Sequence, residues 1–414
     1  MAQINKMDKQ ARAAYLEDHY GKNIIPLSAA EQSMIGTEQT EILLFYKKET
    51  SISKLKESLL KTIEHYNLFS SRLIMIDDHQ FALQYCTDGF VINVLPSIDE
   101  TFDHIDIEDI KKMMVRVKTL PGEPLFAVTG IPIKDGVFGG ISCSHAISDG
   151  ISIMLFLFSW MCIIEGKNIP LPSNQRLFKG KPVSFEEIDK ALIPPLSELS
   201  QEIQNRVKAS DIKTYSKREY FTLEFLNQIK NQARMENEEY ILSNNQIITS
   251  YLLKKYHKHI LPKTDKIFLK HPISIRDVNP DIDPLYIGNA VFVHLIEFTK
   301  NEIDSLSIPQ LAFRMKQSIK NIRNENFTKE ISYFSKHGLE IRTDLYKKYP
   351  ASSIDTDIVA SNMTHLSDFE SFGFSSNIGS IIHMAMPYYK TSFIMLKEKS
   401  DTIFAEITSL YPIP

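Results

Sequence analysis

A chain of 414 residues is too long for one ordinary hydrophobic core, because such cores stop growing near roughly 250 to 300 residues, and two domains are the default expectation. Its 43% hydrophobic and 24% charged residues belong to a folded globular protein, and 15 glycines with 19 prolines leave little room for long disordered tracts. A formal charge of -4, from 47 basic and 51 acidic residues, gives no broad field of either sign and so no support for nucleic-acid or polybasic membrane binding.

Near the start, Ile42 to Tyr46 is a short apolar and aromatic run that predicts a strand buried on both faces. Ser51 then caps a helix whose apolar residues Ile52, Leu55, Leu59 and Ile63 recur at steps of three and four, with Lys and Glu between them. Leu68, Phe69, Leu73, Ile74 and Met75 resume a buried strand. Phe126 to Ile133 and Val137 to Cys143 flank Lys134-Asp135-Gly136, whose Asp-Gly pair signals a hairpin turn. Gly139 and Gly140 are poor strand residues and predict a site where something bulky approaches the backbone or the strand bends.

Asp149-Gly150 turns the chain into the apolar stretch Ile151 to Ile164. Serines interrupt that stretch, and it is too short to cross about 30 Å of hydrocarbon at about 1.5 Å per residue, so it predicts a buried helix. From Pro170 to Leu199 the periodicity is lost among Pro, Ser, Lys and Glu, which marks a crossover between domains. Beyond it, Tyr220 to Phe225, Ile267 to Ile275, Ala290 to Ile296, Ser380 to Met386, Ser392 to Leu396 and Thr402 to Leu410 are strand-like. Ser243 caps a helix through Lys255, and Pro309 to Tyr349 is mostly helical in pattern.

Cys86, Cys143 and Cys162 are odd in number and scattered, which suits neither a disulfide framework nor a Cys-x-x-Cys metal site and fits a reducing cytoplasm. The first ten residues carry no apolar core of a secretory signal.

The segment that carries chemistry is Ser144-His-Ala-Ile-Ser-Asp-Gly150. A histidine at the exit of a buried strand, followed by a turn and a long apolar helix, is fixed by backbone yet able to face a cleft. Its near-neutral pKa suits general-base work on a hydroxyl or amine. The alternative is a core histidine with its hydrogen bonds satisfied. Asp149, if buried, needs an ion pair or backbone donors, and its expected task is to hold the turn. Cys143 reads as a small buried hydrophobe, not a nucleophile. Lys254, Lys255 and Lys258 form the densest basic cluster with His257 and His259. They are candidates for binding the phosphates of an anionic ligand, with a solvated helix face as the alternative. Two-residue spacing on a helix separates His257 from His259, so no metal site is expected there.

The stretch VFGGISCSHAISDGISIMLFLFSWMCIIEG, residues 137–166, resembles the His-x-x-x-Asp-Gly strand, turn and helix of the BAHD acyltransferases, Trp160 included. That family belongs to a coenzyme A-dependent superfamily with chloramphenicol acetyltransferase and the condensation domains of peptide synthetases. In order along the chain, Leu55 to Leu73 is similar to the family's first helix, Pro172 to Phe178 to its Pro-x-x-x-Arg segment, and Ser243 to Lys255 to the helix opening its second domain. Ile275 to Phe292 resembles its Arg-containing strand followed by Tyr-x-Gly-Asn-Ala-Val. The chain departs from the family at Asp-Phe-Gly-Trp-Gly, where it has Ser371-Phe372-Gly373-Phe374-Ser375, a change that bears on cofactor geometry.

The resemblance implies an α/β fold of two chloramphenicol-acetyltransferase-like domains, each a mixed sheet with flanking helices, and an active site in a channel between them. The corresponding boundaries are 1–190, completed by a segment returning near 355–378, a linker at 191–215, and 216–414. His145 would be the catalytic base for direct attack of an alcohol or amine on an acyl-coenzyme A thioester, with no permanently bound cofactor. Asp149, Gly150 and Arg276 would be structural at the site. By family analogy Arg276 pairs with Asp149, the alternative being a surface pair with Asp277. Ser361 and Asn362 are the candidate oxyanion donors, and Phe372, Gly373 and Phe374 join the three lysines as candidate coenzyme A contacts. The chain reads as a cytoplasmic monomer with no transmembrane segment. Ser144 stands where condensation domains usually have a second histidine, which favours a coenzyme A donor over a carrier protein. The competing readings are a carrier-protein-dependent condensation enzyme and an inactive binding protein of the same fold.

Overall fold

The structure, a computed structural model, describes residues 21–37, 39–47, 51–77, 80–210, 212–276, 279, 282–322, 356–365, 380–386, 390–399 and 401–414. The chain divides into two compact units whose segments interleave. The first is Met1–Asp211, Pro280–Ala290 and Phe374–Met384; the second is Ile212–Asn279, Val291–Gly373 and Ala385–Pro414.

In the first unit, strands β1 (Ile24–Pro26), β3 (Ser71–Asp77) and β4 (Gln80–Tyr85) form an antiparallel sheet in the order β1-β4-β3. Strands β2 (Thr40–Lys47), β5 (Phe90–Val94), β6 (Phe126–Ile133), β7 (Gly136–Cys143) and β12 (Ser380–Ala385) form a second sheet ordered β12-β2-β7-β6-β5. β7 runs antiparallel to both β2 and β6, and every one of its residues is buried. This burial explains its apolar, Gly-containing sequence. The hairpin forms with Gly136 opposite Ile133, so only Lys134 and Asp135 turn the corner. A Cβ on Gly140 would stand 2.5 Å from the Met114 side chain, and one on Gly139 would stand 3.3 Å from the Tyr46 ring. Both glycines therefore answer to close neighbours, as their poor strand propensity foretells.

Two helices pack together on this sheet. Ile52–His65 begins at Ser51, whose hydroxyl accepts from the Lys54 N–H, and it buries Leu55, Leu59 and Ile63. Gly150–Glu165 is apolar almost all round, the pattern of a helix enclosed by protein, and it ends at Gly166 in the left-handed region at φ 69°. Trp160 joins the two, its indole N–H donating to Ser58 Oγ at 2.9 Å.

In the second unit, β8 (Tyr215–Thr222), β9 (Lys266–Ser274), β10 (Val291–Thr299), β11 (Asp357–Asn362), β13 (Ser392–Lys399) and β14 (Thr402–Ser409) are ordered β10-β9-β11-β13-β14-β8. β11 runs parallel to β9 and β13, and the other pairs are antiparallel. Helices Leu223–Glu236, Asn244–Ile260 and Ile308–Ile322 share a core with this sheet, built on Ile248, Leu252, Leu269, Phe298, Phe393 and Met395. The architecture is the mixed α/β one read from the sequence, with two units of sheet and flanking helices.

The segment boundaries differ from those read in the sequence. Residues 191–211 are not a loose linker but part of the first unit. Ile188 and Leu192 are buried with Ile74, Ala82 and Cys86, and Arg206 Nη1 donates to the carbonyls of Ser33 and Ile35. The first unit is completed by 280–290 and by 374–384, which overlaps only the end of the expected segment near 355–378, because Ile358, Val359 and Ala360 are buried inside the second sheet. The strand predicted over Tyr220 to Phe225 stops at Thr222, whose hydroxyl accepts from the Phe225 N–H and starts the helix Leu223–Glu236. The later part of the helical pattern, after residue 322, lies outside the described residues, and so do Ser371 to Ser375.

Candidate active site

β7 leads directly into the turn that carries His145, and short polar contacts fix that turn on every side. The Ser144 N–H donates to the Leu125 carbonyl at 2.8 Å, and Ser144 Oγ lies 2.9 Å from Thr119 Oγ1 and accepts from the Ala146 N–H at 3.1 Å. Ser148 Oγ is 3.1 Å from Cys143 Sγ. Residues 144–149 are all buried. Burial pushes the Cys143 thiol up to about 12, so it stays protonated and packs as the small hydrophobe its setting predicts.

Burial also lowers the pKa of the His145 imidazole. The Asp149 carboxylate and a hydrogen bond to the residue's own backbone oppose that shift without overcoming it. The resting ring is neutral near pH 7, the form able to accept a proton.

Asp149 is the N-cap of Gly150–Glu165. Its Oδ1 accepts from the Ser152 N–H at 2.8 Å, and its Oδ2 accepts from the Ala290 N–H at 2.9 Å. Its own N–H donates to the Gly288 carbonyl at 3.1 Å. Ser152 Oγ donates to the same carbonyl at 2.8 Å and accepts from the Gly288 N–H at 3.1 Å. A carboxylate held by two N–H groups and the N-terminus of a helix is stabilised as a charge and is oriented by its partners. Gly150, the first helical residue, has its place in this cap. Ser152, Gly288 and Ala290 went unread as site residues. The Asp149-x-x-Ser152 spacing at a helix start was the local signal for Ser152, whereas no local pattern joins Ala290 to a residue 141 positions away.

Arg276 is buried just after β9 in the second unit, with its N–H donating to Ser274 Oγ at 3.3 Å, and Asp277 lies outside the described residues. Ser361 and Asn362 end β11 in that unit. Ser361 is buried; Asn362 is exposed, and its Oδ1 accepts from both the N–H and the hydroxyl of Thr364.

The lysine cluster on Asn244–Ile260 has partners within the second unit. Lys254 Nζ donates to the carbonyls of Ile303, Asp304 and Leu306, Lys255 pairs with Glu219 at 2.7 Å, and Lys258 pairs with Asp304 at 2.9 Å. His257 is buried and His259 exposed, as their two-residue spacing requires. Among the described residues no His, Cys, Asp and Glu group is arranged to hold a metal ion, and no helix is long and apolar enough to cross a membrane. Phe372, Gly373 and Phe374 lie outside the described residues.

The model of the Transferase family matches residues 16–408. The chain belongs to this family, the BAHD-type acyltransferases. This acyltransferase is 22% identical over 362 residues to an uncharacterized acetyltransferase of Arabidopsis thaliana, covering 79% of this chain and 78% of the relative. It is 29% identical over 128 residues to the BAHD acyltransferase DCR of the same plant, a match covering 28% of this chain and 26% of that one. Among solved structures it resembles vinorine synthase, with TM-score 0.62, 17% identity and coverage of 94% of this chain and 91% of that chain. TRI101 of F. sporotrichioides, complexed with coenzyme A and T-2, gives TM-score 0.65 at 15% identity over 93% and 94% of the two chains. At these identities the solved structures speak for the fold alone.

Proposed function

We propose that this acyltransferase uses His145 as a general base to move an acyl group from an acyl-coenzyme A thioester onto the hydroxyl or amine of a small molecule. The observation that carries the reading is a buried imidazole with a lowered pKa, on a turn whose neighbouring carboxylate accepts from the backbone N–H groups of Ser152 and Ala290. The ring accepts the acceptor's proton as oxygen or nitrogen attacks the thioester carbonyl. The carbonyl π pair moves onto oxygen, and donors such as Ser361 or Asn362 hold the tetrahedral oxyanion. Collapse re-forms the carbonyl, breaks the carbon–sulfur bond, and releases coenzyme A as the thiol after it takes the proton back from the imidazolium. Asp149 holds the turn and acts on the ring through its field, while Gly150 and Arg276 are structural.

Coenzyme A in the TRI101 complex supports a coenzyme A donor by likeness of fold. Free-thiol release from a panel of acyl-coenzyme A donors with pooled alcohols and amines tests the reaction, and acyl-phosphopantetheinyl carrier proteins in a parallel arm test the donor. The variant His145→Ala should lose about a hundredfold or more in rate while keeping the wild-type melting curve. A folded variant with undiminished turnover removes the general base from the mechanism.

A further inference from the structure

The tripeptide that holds Asp149 is itself held by a second buried carboxylate. Glu31 is wholly buried, in the short helix Ala29–Gln32. Its Oε2 accepts from the Ser28 N–H at 2.7 Å and from Arg176 Nη1 at 2.8 Å, and its Oε1 accepts from the Asn289 N–H at 3.3 Å. Successive backbone amides, 289 and 290, thus point at two carboxylates, Glu31 and Asp149. Gly288 makes the approach possible. Its φ is +147°, and a Cβ there would stand 2.8 Å from the Tyr286 ring and 2.9 Å from Glu31 Oε1. Arg176 also donates to the Tyr286 hydroxyl at 3.4 Å, while Ser173 N–H donates to the Leu285 carbonyl at 2.9 Å. The crossover segment therefore holds residues 285–289 through Ser173 directly and through Arg176 by way of Glu31 and Tyr286.

Stability alone is a poor reason for this ion pair. Arg176 is buried, and its Nε and Nη2 have no hydrogen-bond partner among the described residues. A buried pair with unmet donors is no more stabilising than apolar side chains of the same size. What the pair does supply is a fixed position for the Asn289 amide, and with it for the Gly288 carbonyl and Ala290 amide that set the turn of His145.

We propose that Glu31, locked by Arg176, is a positioning residue for catalysis, acting on His145 through the Tyr286–Ala290 segment and the Asp149 cap. The inference rests on the role of His145 given above, and its test keeps the two apart. In the full chain, Glu31→Leu with Arg176→Met removes both charges and leaves apolar volume. Its kcat should fall about tenfold while KM for acyl donor and acceptor stays within about twofold, as expected when groups are misplaced at the chemical step and ground-state binding is kept. Amide hydrogen exchange at Asn289 and Ala290 should accelerate about tenfold, with protection in the core of β7 and the melting temperature retained. Should the apolar pair fail to fold, Glu31→Ala with Arg176→Ala, which admits water to the same donors, is read in the same way. A folded double variant with wild-type kcat, or with wild-type protection at Asn289 and Ala290, overturns the inference. The exchange measurement needs no turnover, so a wild-type chain inactive with every acyl donor would defeat the proposed function while still testing whether Glu31 holds the segment.

Discussion

Burial and a carboxylate pull the His145 proton affinity in opposite directions, and burial is the larger of the two. Because the folded ring has the lower affinity, its base form is complete at neutral pH and is lost only as pH falls through a value below the usual 6.5. The acid limb of kcat/KM for acyl transfer should therefore lie below 6.5, and a limb at or above that value would contradict a buried neutral base. Asp149 invites a sharper test. Asp149→Asn keeps the size of the cap, but one acceptor oxygen becomes an NH2 facing the N–H of Ser152 or Ala290. Leaving one buried donor unmet should cost about 1–3 kcal/mol in urea unfolding, with a fall in kcat. At this scale the turn that carries His145 and Asp149, and the buried Cys143 before it, were legible in the sequence because they lie in one short segment. It did not disclose Glu31, although Ser28-x-x-Glu31 has capping-box spacing, because its partners Arg176 and Asn289 are 145 and 258 residues away.

Among the elements, β7 and the helix it feeds had the clearest imprint. Uninterrupted burial of the strand, the two-residue hairpin corner and the Asp cap each leave a local signature, and all were readable in order. Elements of half-exposed sequence were not. β5 shows partly buried residues and no clean alternation, and the helix Leu223–Glu236 begins inside an apolar run that reads as more strand. The tight seat of Gly140 yields a prediction at this scale. Gly140→Ala drives a methyl into Met114, and a filled core charges about 1–3 kcal/mol for such overpacking. A thermal melt should register the loss, and Met114→Ala should recover part of it by opening space. A double variant no better than Gly140→Ala alone would show that Met114 is not the obstacle.

Across the molecule, His145, His257 and His294 share one sign. Burial is the leading cause of the lowered pKa in each, and His294, with His271 also contributing, falls to about 4. The unfolded chain binds these protons more tightly than the folded one, so stability is full above about 6.5 and declines as pH drops through the folded values. The melting temperature should hold steady from pH 8 to 7 and decline between about 6.5 and 4. His294→Gln, which can still meet Ser318, should flatten that decline. An unchanged slope in that variant would clear His294 of any part in acid sensitivity. Two domains could be expected from length alone, whereas a returning segment was expected only from the family resemblance, because 280–290 and 374–384 carry no compositional mark of the unit they join.

That interleaving bears on how the protein is made. The Asp149 cap receives its Ala290 donor only after 141 further residues have been synthesised, and β2 receives its neighbour β12 later still. At about 5–20 residues per second, a nascent chain waits roughly tens of seconds after His145 emerges before the first unit can close. Throughout that wait an unpaired strand edge and a solvent-open carboxylate coexist on the ribosome. The half-built turn thus stays open until its distant partners arrive, and termination after β7 but before residue 380 leaves β2 without its neighbour β12.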